Sequence, residues 1–189
     1  MVIRPTIIFL FFYQLLATAP AFSQQIKFNR VFDGAVNHWV GIPDIAQDHQ
    51  GYIWFSTYGN GIYRYDGFTL TAFTHDSTNT NSISSNRTSS LIIDHTGNIW
   101  VGTFRHGLNK FNPDNNTVIH YRHNPNDISS LGCDTISGIL EDREGNIWLA
   151  TYIGLDHLDT KTGKFYHYRH DEKDPSSISN DHVWQLYED

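Results

Sequence analysis

Short runs that alternate apolar and polar residues recur along this chain at a near-constant interval. The clearest is Ile99-Trp100-Val101-Gly102-Thr103, preceded by the turn sequence Asp94-His95-Thr96-Gly97-Asn98. Copies stand at Asp48–Thr57 and Asp142–Thr151, so that Trp54, Trp100 and Trp148 are almost evenly spaced. A repeat of that length marks stacked or radial repeat architectures. Each copy reads as four short strands. Strand A is an apolar run ending in an acid: Ile42 to Asp48, Leu91 to Asp94 and Ile136 to Asp142. Asp-x-x-Gly turns the chain, with Asp48, Asp94 and Asp142 accepting from backbone amides and Gly51, Gly97 and Gly145 taking a positive φ. Strand B is the Ile-Trp run, apolar on both faces and therefore expected to be covered on both.

Strand C follows a glycine: Gly61 to Asp66, Gly107 to Asn112 and Gly154 to Asp159. Only every third residue there is reliably apolar, which predicts an outer, partly exposed strand. Strand D is aromatic and polar by turns, over Phe68 to His75, Thr117 to His123 and Phe165 to His170, and suits an outermost edge. A long polar loop returns to the next strand A. The interval from His75 to Asp94 is repeated without change from His123 to Asp142 and from His170 to Asp189, with Ser-Ile or Ser-Leu aligned inside it. A loop of constant length with one apolar anchor is an architectural part.

Four-stranded repeats with tight turns and no helical periodicity predict an all-β fold, a β-propeller of antiparallel blades. Three blades are expected, at about 42–75, 89–123 and 136–170, and a fourth begins at Val183. A closed propeller needs at least four blades. The chain is accordingly expected to be the N-terminal part of a longer protein. Ile26, Phe28 and Phe32 suggest a lone strand within residues 24–41 that could close the ring. Residues 1–23 have the layout of a secretory signal peptide: Arg4, an apolar run from Ile7 to Leu16, and Ala21-Phe22-Ser23 as the cleavage site.

Composition narrows the function. Aromatic residues are abundant and charged residues comparatively few, which excludes a disordered chain. The net charge of −7 argues against nucleic acid, whose phosphates call for cations. The one cysteine, Cys133, has no partner for an internal disulfide. It is read as a small buried residue at the repeat position of Ser85 and Asn180.

The run Asp-x-x-Gly-Asn-Ile-Trp-x-x-Thr, followed by Gly-[Ile/Leu]-x-x-[aromatic/Leu]-[Asp/Asn], resembles the two-component regulator propeller repeat, most closely at Asp94 to Asn112 and Asp142 to Asp159. The Asp-box of sialidase propellers fits less well, because its Asp stands two residues before Gly rather than three. The resemblance implies an extracytoplasmic sensor region. Such regions are typically followed by further blades, a membrane helix and a histidine kinase, often respond to glycans, and can form dimers.

Candidate chemistry is sparse. The Trp column could stack sugars, but its recurrence once per blade points to inter-blade packing. His75, His123 and His170 lie on different outer strands, too far apart to share a metal. The turn aspartates lack the further ligands that calcium needs. No acid/base pair, cofactor site or metal site is indicated, so the propeller is not expected to be an enzyme; a glycan lyase or glycosidase, or a protein-interaction scaffold, is the alternative. Residues that differ between blades remain. Tyr58, Asn60, Arg105, His106 and Tyr152 in the B–C loops, with Arg87 and His182 in the inter-blade loops, are expected to surround one mouth of the central channel. There they are expected to contact a carbohydrate ligand.

Overall fold

The computed structural model describes residues 41–189. The signal peptide expected at 1–23 and the strand expected within 24–41 lie outside the described residues, Gly41 apart. Among the described residues, twelve strands form three separate four-stranded antiparallel sheets. The first holds β1 (Ile45–Gln47), β2 (Ile53–Ser56), β3 (Ile62–Tyr65) and β4 (Leu70–Phe73). The second holds β5 (Thr88–Ile93), β6 (Ile99–Thr103), β7 (Leu108–Asn112) and β8 (Thr117–Tyr121). The third holds β9 (Ile136–Glu141), β10 (Ile147–Thr151), β11 (Gly154–Asp159) and β12 (Lys164–Tyr168). In each sheet spatial order follows chain order, as in a propeller blade.

The A–B hairpin is closed by one carboxylate doing two things. Asp94 Oδ1 accepts from the backbone amides of Thr96 and Asn98, both at 2.9 Å. Its Oδ2 accepts the indole N–H of Trp100 at 2.8 Å. Trp54 reaches Asp48 at 2.7 Å and Trp148 reaches Asp142 at 2.9 Å in the same way. Gly51, Gly97 and Gly145 sit at φ +88°, +85° and +81°, a region other residues enter only with strain. The turn therefore fixes the Trp side chain as well as the chain reversal.

Successive blades meet through their large apolar residues. Trp54, Ile62, Leu91, Ile99, Val101 and Phe111 form one core between the first two sheets. Trp100, Leu108, Leu131, Ile147, Leu158 and Phe165 belong to the core between the second and third. Trp54 and Trp100 are fully buried and pack blades together, as their recurrence implied, while Trp148 is half-buried. Burying each large side chain of this kind contributes about 1.5–3 kcal/mol. The innermost segments also bond one another: Leu91 N donates to Asp44 Oδ2, Ser89 Oγ to Ile136 O, and Ser137 Oγ to Val183 O.

Several expectations need amending. Strand A of the first blade does not begin at Ile42. It is confined to Ile45–Gln47. Pro43 lacks an N–H for the ladder, and Asp44 takes the Ile45 amide on its own side chain. Strand C is not an exposed outer strand; β7 and β11 bury alternate residues or more. They include the polar Asn109 and Asp156 because each carries an inbound hydrogen bond from the long loop: Ser84 N to Asn109 and Gly132 N to Asp156. Val183–Asp189 carries no strand, although it runs beside β9. Cys133 is half-buried rather than buried. Its sulfur accepts from Thr135 N at 3.4 Å, the role that Ser85 Oγ plays for Arg87 N and Asn180 Oδ1 for His182 N.

Candidate ligand site at the blade mouths

The long loops are stapled in register. His75, His123 and His170 each donate from Nδ1 to a loop carbonyl at 2.8 Å, those of Ile83, Leu131 and Ile178. Their backbone amides donate to Asn86, Asp134 and Asp181. The histidine column is therefore loop architecture. Its fixed geometry delivers the next few residues, 85–88, 133–136 and 180–183, to the open end of the B–C hairpin of the preceding blade.

At the first such junction Tyr58 and Arg87 form a bridge between the B–C loop and the inter-blade loop. Phe104 N donates to Arg87 O at 3.1 Å, and the Arg87 guanidinium lies over the Phe104 ring, 4.6 Å from its centre. The Tyr58 ring stands 5.9 Å from that of Phe104, inclined at 50°. It remains 51% exposed although the Gly41 backbone lies against it. At the third junction Tyr152 faces His182 at 6.0 Å and Trp184 at 5.8 Å between ring centres. Trp184 is 68% exposed.

Among the expected site residues, then, Tyr58 joins Arg87 and Tyr152 joins His182. Asn60 and His106 serve their own loops, donating from the backbone to Thr57 Oγ1 and Thr103 Oγ1. Arg105 occupies the exposed loop tip at φ +67°. Phe104, which precedes Arg105 and His106 in the second B–C loop, joins the site, and so does Trp184, which was not expected there. Alignment on the preceding threonine shows the signal for the first of them, since Thr57-Tyr58, Thr103-Phe104 and Thr151-Tyr152 place an aromatic at the same point of every blade. A cavity of about 420 Å³ opens beside Tyr58, between the innermost strands; Asp44, Ser89, Ser137 and Trp184 also line it. Its one charged lining residue, Asp44, has both carboxylate oxygens turned to backbone amides, those of Ile45 and Leu91.

Comparison with known proteins gives this geometry its context. The two-component regulator propeller repeat matches at residues 37–59, 82–105 and 130–152. Three copies of that family's repeat therefore lie in this chain. The extracellular domain of the hybrid two-component system BT3049 from B. thetaiotaomicron superimposes with a TM-score of 0.68 at 29% identity, covering 76% of this chain and 20% of that one. The extracellular domain of BT4673 from the same organism gives 0.62 at 22% identity, over 78% and 19%. A virginiamycin B lyase from Staphylococcus aureus gives 0.54 at 18% identity, over 70% and 42%, and shares the fold. This regulator propeller chain thus spans about a fifth of the length of the sensor ectodomains it resembles. No curated protein sequence matches it.

Proposed function

We propose that this regulator propeller is a non-catalytic, ligand-sensing part of an exported two-component receptor, on the periplasmic side of the cytoplasmic membrane, and that its ligand is an oligosaccharide. The family and the BT3049 likeness support the sensory role. The single observation that supports a carbohydrate is the junction of Tyr58, Arg87 and Phe104: a half-open aromatic ring for a sugar face, beside a hydrogen-bonding fork held in place. Tyr152, His182 and Trp184 repeat that chemistry at the third junction. Signalling would follow if ligand bound one arrangement of blades, or of a receptor dimer, more tightly than another. Further blades and a histidine kinase in the same polypeptide would carry the change inward.

Calorimetric titration of the whole polypeptide with a panel of oligosaccharides tests this reading. Binding at micromolar to millimolar concentration, weakened at least tenfold by Tyr58→Ala, is the expected result. Heat release from none of the panel would end it. Turnover of any bound glycan by the purified chain would replace the sensor with the enzyme reading.

A further inference from the structure

Three of the six arginines among the described residues are matched with an acid. Arg122 pairs with Asp134, Arg143 with Glu188 and Arg169 with the buried Asp156. Arg64, stacked over Tyr52, lines a cavity whose walls include Asp48 and Asp114. Arg64, Arg87 and Arg105 make no ion pair among the described residues, and the Arg87 guanidinium rests on Phe104 instead.

The surrounding loops sharpen the contrast. Tyr58-Gly59-Asn60, Asn86-Arg87 and Phe104-Arg105-His106 contain two arginines, a histidine and no carboxylate, in a chain of net charge −7. The nearest cavity offers only Asp44, whose oxygens are committed to amides. We infer that the Tyr58–Arg87–Phe104 junction recognises an oligosaccharide through an anionic substituent, a carboxylate or a sulfate, and discriminates against neutral glycans. The inference rests on the carbohydrate reading above and names the class of sugar.

The physical case has three parts. A guanidinium presents a planar fork that meets two oxygens of one anionic group at once. Stacking on Phe104 holds that plane before the ligand arrives, so little side-chain freedom remains to be lost on binding. The backbone on either side is fixed as well: Arg87 N donates to Ser85 Oγ at 3.1 Å, and Arg87 O receives Phe104 N. An unpaired, preorganised cation is what a site for an anionic sugar requires. The exposed Tyr58 ring supplies the apolar platform alongside.

The test is a titration of the whole polypeptide with three tetrasaccharides of matched linkage: a tetragalacturonate, the corresponding neutral tetragalactoside, and its sulfated derivative. A carboxylate or sulfate ligand is expected to bind at least tenfold more tightly than the neutral one and to weaken as salt is raised. Arg87→Gln should abolish that preference, and Phe104→Leu, which keeps the charge but removes its support, should reduce it. Both sites are at the surface, so thermal midpoints serve as a control for folding. Preference for carboxylate over sulfate, or the reverse, supports the inference and identifies the substituent. Equal binding of neutral and charged sugars, or an unchanged preference in Arg87→Gln, overturns the inference and leaves the carbohydrate reading intact. Binding of none of the three overturns both.

Discussion

Trp100 and Asp94 are joined by an indole N–H to carboxylate bond of 2.8 Å that ties a hairpin turn to an inter-blade core. The turn can be read from its own residues, yet it also sets where the largest core side chain points. The two functions are coupled through one buried carboxylate.

That coupling gives a first prediction. Asp94→Ala removes the partner of Trp100 Nε1 and of the Thr96 and Asn98 amides, and should cost about 2–3 kcal/mol in urea unfolding. Burial pushes the Asp94 carboxyl upward, but the bonds from Thr96, Trp100 and Asn98 outweigh it and hold it below the usual carboxylate range. A carboxylate depressed in the folded state stabilises fully above its unfolded pKa of about 3.9 and loses that contribution as pH falls toward the folded value. Wild-type stability should therefore drop steeply below about pH 4, and Asp94→Ala should flatten the drop.

A second concerns His95 and Glu141, which bridge the second and third blades. His95 donates from Nδ1 to Glu141 Oε1 and from its backbone to Oε2. The hydrogen bond and the charge of Glu141 raise the His95 pKa above its ordinary value. The bridge thus helps at pH below the unfolded histidine pKa of about 6.5 and fades as pH rises through the higher folded value. Proton NMR titration of His95 in Glu141→Gln should show its pKa falling toward the ordinary value. An unchanged titration would contradict the bridge.

Gly102 supplies a third. A Cβ there would stand 2.4 Å from Ser90 Oγ and 2.8 Å from Ile136 Cγ2 of the next blade. Gly102→Ala should destabilise by about 1–3 kcal/mol through overpacking. The buried Ser90 hydroxyl has no hydrogen-bond partner among the described residues. Ser90→Ala should be neutral or slightly stabilising, and combining it with Gly102→Ala should recover part of the loss. Equilibrium denaturation of the single and double variants measures each effect.

A fourth addresses the loop staple. His123 holds the loop at Leu131 through Nδ1 and at Asp134 through its backbone. His123→Ala should raise amide exchange of the 124–132 segment roughly five- to tenfold while leaving the strands of the third blade protected. His123→Asn, whose side-chain amide can still donate, should restore part of the protection.

Much of this is legible in the chain. The Asp-x-x-Gly turns, the strand order and the interval between tryptophans rest on interactions within a blade, and the loop staples on bonds eight to eleven positions apart. Such local chemistry is written contiguously and repeats visibly. Residues whose surroundings come from another blade are less legible. Strand C reads as exposed because Asn109 and Asp156 are polar; besides their bonds within the blade, each receives a loop amide from much further along the chain, Ser84 and Gly132. Phe104 is visible as a repeated loop aromatic, but its stacking is not, because Arg87 crosses onto it from the preceding inter-blade loop.

The sequence by itself determined the blade: its four strands, its turn chemistry and its apolar faces. Only the tertiary structure decided which side chain of each repeating column is sealed and which is open. Trp54 and Trp100 are buried because the next blade leans on them. Arg87 stays free of any carboxylate among the described residues because the loop beside it brought an aromatic ring instead. Burial and charge pairing are properties of what lies across a gap. At each junction that is set by residues distant in the chain, where no local pattern records it.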